Sequence, residues 1–106
     1  MANFNLNKAI IGGRLTAKPE LKQTTSGVMM TSFTVAVNRS FGDKQADGTV
    51  KAVADFINVI AWRKSAELVC QYFDKGSSIC IVGSIQTRDY TDQQGNKRYA
   101  TEVVAD

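Results

Sequence analysis

The sequence predicts an all-β fold of five strands, with one helix between the third and fourth. Three observations carry that reading. Apolar and polar residues alternate with period two along most of the chain, turn residues separate the runs, and a single window changes to helical spacing. At 106 residues and 43% apolar content, with no repeat or low-complexity tract, the chain suits one domain (1–106) with its own core.

The first strand is expected over residues 6–15, where Gly12-Gly13 suggests a bulge or tight bend. Residues 16–20, holding the only proline, form a turn, and residues 21–25 a short extended piece before the Ser26-Gly27 turn. Residues 28–38 alternate well: Phe33, Val35 and Val37 share one face, and Ser32, Thr34 and Ala36 the other. The polar stretch 40–51 reads as a long hairpin connection. In the strand at 52–62, Ile57, Val59 and Ala61 oppose Phe56, Asn58, Ile60 and Trp62. Residues 65–73 then place Leu68, Val69 and Tyr72 at helical spacing, with Gly76 as the stop. Strands at 77–88 and 98–104 flank a turn at 92–96. That order matches the OB-fold, a five-stranded Greek-key barrel. A small α+β sheet of the same order remains the alternative, because periodicity does not fix closure.

Composition narrows the function classes. The chain has no histidine, which removes the commonest general base and every Ser-His or Cys-His arrangement. Cys70 and Cys80 alone supply too few ligands for a structural zinc site and are expected as small buried apolar residues. Neither a metal nor another cofactor is expected. No carboxylate pair or metal-ligand spacing is readable in Asp55, Asp74, Asp89 and Asp92, so an enzyme, such as a metal-dependent nuclease, is the weakest reading. The net charge of +3 is compatible with a polyanionic partner but does not demand one. No apolar run is long enough to span a membrane, and residues 1–8 lack a signal-peptide core, so a cytoplasmic protein is expected.

The large flat side chains are the informative feature. Phe56 and Trp62 lie on one face of a strand made half polar by Asn58, while the opposite face, with Ile57 and Val59, is the cleaner core candidate. Phe41 and Tyr90 sit at strand ends or in polar hairpins, flanked by Arg39, Lys44 and Arg88. Exposed aromatics among cations suit single-stranded nucleic acid: every base has a π-face to stack, and the cations hold the phosphates. The alternative use of such aromatics is to fill the barrel or a subunit contact.

Several separate blocks carry a closer resemblance. They are Gly13-Arg14-Leu15-Thr16, Pro19-Glu20-Leu21, Phe33-Thr34-Val35-Ala36-Val37-Asn38-Arg39, Ala54-Asp55-Phe56-Ile57-Asn58, Trp62-Arg63-Lys64-Ser65-Ala66-Glu67, Lys75-Gly76-Ser77, Gln86-Thr87-Arg88 and Tyr99-Ala100-Thr101-Glu102-Val103-Val104. In order and spacing, over nearly the whole chain, they resemble the bacterial single-stranded DNA-binding proteins (the SSB family). The resemblance implies an OB-fold that assembles as a homotetramer, wraps single-stranded DNA and protects it in replication, recombination and repair near the nucleoid. The family's stacking positions fall on Phe41, Phe56, Trp62 and Tyr90, with Phe or Tyr where the family often has tryptophan. Its backbone-contacting cations fall on Lys64, Lys75 and Arg88, with Arg39 and Arg14 as further candidates. Family members usually continue into a flexible linker and an acidic tip that recruits replication and repair proteins. This sequence stops at Val104-Ala105-Asp106, so such partners are expected only if the natural protein carries a tail. The competing reading is an OB domain whose same face binds protein.

Overall fold

The computed structural model describes residues 3–40 and 42–106. The strands are β1 (Ala9–Leu15), β2 (Lys22–Gln23), β3 (Met29–Asn38), β4 (Asp43–Lys44), β5 (Val50–Lys51), β6 (Ala54–Trp62), β7 (Ser78–Thr91) and β8 (Lys97–Ala105), with helix α1 (Lys64–Tyr72) between β6 and β7. The main sheet runs β1-β7-β8-β6-β3-β2, and a further β1–β3 pairing closes all but the short β2 on themselves. Five strands thereby form a ring, which selects the barrel over the open α+β sheet. The β6–β8 contact is parallel, aligning Val59 with Val103 and Ile60 with Val104; the other pairings are antiparallel.

Alternation fills the barrel. Leu15, Phe33, Val35, Val59, Ile79, Ile81 and Val103 point inward, and Ala66 and Val69 of α1 join them. Each buried aliphatic side chain of this kind contributes about 1.5–3 kcal/mol relative to exposure. Thr31 is fully buried among them and tolerable there because its hydroxyl donates to the Glu20 carbonyl at 2.8 Å.

Several expectations change. The Gly12-Gly13 pair makes no bulge: β1 stays in unbroken register with β7 from Ala9↔Gly83 to Arg14↔Ser78. Gly13 is needed because a Cβ there would run into the Ala36 carbonyl oxygen and come within 2.8 Å of Val35 Cγ1. β1 begins at Ala9 rather than residue 6, and Asn7 replaces a strand rung with its side chain, accepting from Ile85 N–H at 2.8 Å and donating to its carbonyl at 2.6 Å. The connection at 40–51 contains its own ribbon, β4 with β5.

The helix buries Ala66 and Val69, whereas Leu68 and Tyr72 are exposed. Its end is set by Phe73, which turns extended and packs against the core, not by Gly76, which supplies a positive φ inside the turn closed by Ser77 N–H to the Asp74 carbonyl. Cys70 is half-buried, but Cys80 is exposed: it lies between inward-facing Ile79 and Ile81 and so points outward. No helix of the described residues is long and apolar enough to cross a membrane.

Arg63, between β6 and α1, is the only non-glycine among the described residues with a positive φ (56°, with ψ −123°). Such a conformation costs a residue with a Cβ about 1–3 kcal/mol. Arg63→Gly should therefore raise stability by about 1 kcal/mol after glycine's entropy loss. Denaturant melts of both proteins check this; an unchanged or lower midpoint would show that Arg63 is unstrained.

Candidate nucleic-acid interface

Directly opposed residues of neighbouring strands point to the same side of a sheet, so the register assembles rows on the barrel's outer face. Arg14 pairs with Ala36, and Ala36 with Phe56. At the other end of β6, Lys22 pairs with Met30, and Met30 with Trp62. Each aromatic of β6 thus shares a row with a cation two strands away, roughly 10 Å across the ladder. Between the rows, the Thr34 hydroxyl donates to Asn58 Oδ1 at 3.0 Å, holding a polar patch flat between the two rings. Phe56 is 67% exposed and Trp62 41%.

The same outer face continues onto β8 and β7. Since Val59 and Val103 are both inward, Glu102 and Val104 lie outside beside β6, and across the ladder Arg88 faces Ala100 while Tyr90 faces Arg98. Tyr90, 43% exposed, has the Arg88 guanidinium 5.3 Å from its ring centroid. Arg88 Nε donates to Glu102 at 2.8 Å, and that bond raises the arginine's pKa further, keeping it charged. Across the ladder from Tyr90, Arg98 Nε donates to Asp92 at 3.0 Å. Asp92 also accepts from the backbone of Asn96 and Gln94, and these bonds with Arg98 lower its pKa.

Of the expected site residues, Phe56, Trp62, Tyr90, Arg88 and Arg14 lie on this connected outer face. Lys64 is exposed at the first turn of α1, next in sequence to Arg63 and Trp62, and Lys75 is exposed in the turn after the helix. Arg39 is held by Asp55 in a two-pronged pair, Nε to Oδ2 at 3.0 Å and Nη2 to Oδ1 at 2.9 Å, which turns its fork toward the protein. Phe41 lies outside the described residues. The sequence reading passed over Lys22, Arg63, Arg98 and Tyr99. Lys22 and Arg98 become visible only through cross-strand register. Tyr99, 72% exposed and 5.9 Å from Lys97 Nζ, lies on the other face of the β7–β8 hairpin from Tyr90. No group of three or more potential metal ligands occurs among the described residues.

The family model described as the single-strand binding protein family matches residues 6–106. Single-stranded DNA-binding protein 1 of Staphylococcus aureus (strain MSSA476) is 50% identical over 101 residues, covering 95% of this chain and 62% of the relative. The single-stranded DNA-binding protein of Enterococcus faecalis (strain ATCC 700802 / V583) is 46% identical over 101 residues, covering 95% of this chain and 52% of the relative. The chain thus spans less than two thirds of these relatives' length. Among solved structures, a Plasmodium falciparum SSB complex with ssDNA superposes with a TM-score of 0.81 at 24% identity, over 99% of this chain and 90% of that one. At that identity the likeness concerns the OB barrel.

The Arg39 pair makes a titration measurable. Its hydrogen bond holds the Asp55 carboxyl below the ordinary 3.8. A depressed carboxyl contributes stability that is fully present above about pH 4 and lost as pH falls through the folded value. Carboxyl NMR should give an Asp55 midpoint below 3.8 that returns to about 3.8 in Arg39→Ala. A midpoint unmoved by that substitution would mean that the pair does not persist in solution.

Proposed function

The chain belongs to the single-strand binding protein family, by a family match over residues 6–106 and curated relatives at about half identity, and on that premise we propose that it binds single-stranded DNA without reading its sequence. Its role is to protect the strand in replication, recombination and repair, as a cytoplasmic, nucleoid-associated binding protein and not as an enzyme. The single OB domain at 1–106 carries this activity. Recruitment of replication and repair proteins is left to any acidic tail the natural protein carries.

One observation carries the reading: Phe56, Trp62 and Tyr90 are exposed on one outer face whose rows end in Arg14, Lys22 and Arg98. Large aromatic rings left in water are unfavourable unless something covers them. Bases cover them at about 1–3 kcal/mol each, and the cations at the row ends follow the phosphates. Lys64, Lys75 and Arg88 add phosphate contacts, and Phe41 is a fourth stacking position. Base-edge reading needs donors and acceptors aimed at particular bases, whereas this face offers mostly ring surfaces and point charges, so sequence indifference follows.

The same economy of exposed apolar surface supports self-assembly, and a homotetramer is the proposed state. On the outside of β1 and β7, Ile10 pairs with Val82 and Gly12 with Cys80; Ile10 is 68% exposed, and Leu68 of α1 lies across a groove from Cys80 and Val82. Covering this patch with a second copy removes it from water.

Trp62→Ala should weaken binding to oligo-dT by about 1–3 kcal/mol, one base's stacking. The melting transition should stay nearly unmoved, because an exposed ring leaves no core cavity behind. In the unaltered chain, oligo-dT should quench the single tryptophan. Titration and melting of the same two proteins check this; a collapsed melting temperature with normal binding would make Trp62 a core residue and misplace the DNA face. Ile10→Lys should shift sedimentation toward a smaller species, and an unchanged sedimentation coefficient would remove the β1–β7 face from the assembly.

A further inference from the structure

The acids beside Tyr90 are the unexpected feature of a face that is to meet a polyanion. Glu102 is 7% exposed and Asp92 half-buried, yet both lie with the cations on the outside of the β7–β8 hairpin. A carboxylate placed there repels phosphate, so its presence calls for a compensating effect. The bonding pattern supplies one. Both carboxylates accept from an arginine through Nε, at 2.8 Å from Arg88 and 3.0 Å from Arg98. Neither arginine uses its terminal nitrogens in a hydrogen bond within the described residues. Both arginine side chains remain 56% exposed.

We propose that Glu102 and Asp92 are positioning residues that fix Arg88 and Arg98 as two forks flanking the Tyr90 ring, and that Arg98 is a further strand-contacting residue. Resting on the functional reading above, this assigns the backbone phosphates on either side of the base stacked on Tyr90 to these two arginines. A guanidinium held at Nε keeps its two terminal nitrogens as a planar pair, which matches two oxygens of one phosphate. Held side chains also lose less rotamer freedom on binding than free ones. Asp92 is itself fixed by backbone N–H groups of Gln94 and Asn96, so the hairpin turn sets the Arg98 fork. Arg88 also lies over the Tyr90 ring, at 5.3 Å from its centroid, so one anchored cation orients the stacking surface and the phosphate contact together.

Charge and positioning make opposite predictions for the same variant. Glu102→Met keeps a long unbranched side chain but removes a negative charge, so electrostatics alone would tighten binding. Positioning predicts weakening, by about fivefold, the worth of one hydrogen bond. Glu102→Gln, which keeps an oxygen acceptor for Arg88 Nε, should recover most of what Glu102→Met loses. Arg98→Lys keeps the charge and lies on the surface, so it tests the same idea without risk to the core. It should weaken oligo-dT binding by about fivefold, with little change in salt dependence. The experiment is oligo-dT titration of the full chain and these variants, followed by Trp62 fluorescence, with far-UV circular dichroism on each. Glu102→Met that folds and binds as tightly as the unaltered chain, or tighter, overturns the proposal, as does Arg98→Lys with unaltered affinity. If Glu102→Met fails to fold, Arg98→Lys decides alone. If the unaltered chain does not bind oligo-dT, the functional reading fails and takes this proposal with it; normal binding with insensitive variants removes this proposal only.

Discussion

The barrel closes where β1 changes neighbours, and at that crossing the β3 backbone occupies the space a side chain at position 13 would need. Arg14 is paired on one side with Ser78 and on the other with Ala36, so β1 belongs to two ladders at once. Gly13 allows that approach. The placement of the candidate binding face follows from it. With the ring closed, β3 and β6 lie side by side with the core on their inner side, and their outer side is left as a continuous surface. Were the ring open, β1 would be an edge, and Arg14 would not share a row with Phe56.

Closure also explains how exposed aromatics are tolerated. The inner positions are taken by Phe33, by aliphatic side chains and by two residues of α1, and alternation along β6 turns Phe56 and Trp62 to the opposite face from Val59 and Ala61. These rings stay outside, in rows shared with Arg14 and Lys22. The β7–β8 hairpin repeats the arrangement, with Arg88 over the Tyr90 ring and Arg98 opposite Tyr90 across the ladder. The surface alternates apolar planes and positive charge, which is the chemical pattern of a single strand read in reverse: phosphate, base, phosphate. The outer side of β1 and β7 presents Ile10 and Val82 with little charge between them, and suits another protein surface better than a nucleic acid.

A good part of this was legible in the sequence. Period-two alternation identified the inward Phe33-Val35 and Val59-Ala61 faces, because a strand with one dry side has no other way to arrange its side chains. The same logic separated Phe56 and Trp62 from the core. The helix was legible as an element but not in its orientation. Leu68 and Tyr72 fit the spacing as well as Ala66 does, and only the docking of α1 on the barrel selects the face of Ala66 and Val69 for burial. Cys80 was misread for a related reason: cysteine's usual burial was weighed above its place between Ile79 and Ile81.

The sequence by itself determined the five strands of the barrel, the inner faces, the aromatic positions on β6 and the absence of histidine chemistry, since each depends only on residues near one another along the chain. Tertiary structure decided the rest. The reason Gly13 is glycine, the cations that share rows with each ring, and the acids that anchor Arg88 and Arg98 depend on register between strands far apart in sequence. A one-residue slip in any ladder would turn those side chains to the other face, and nothing local in the chain records which register closes the ring.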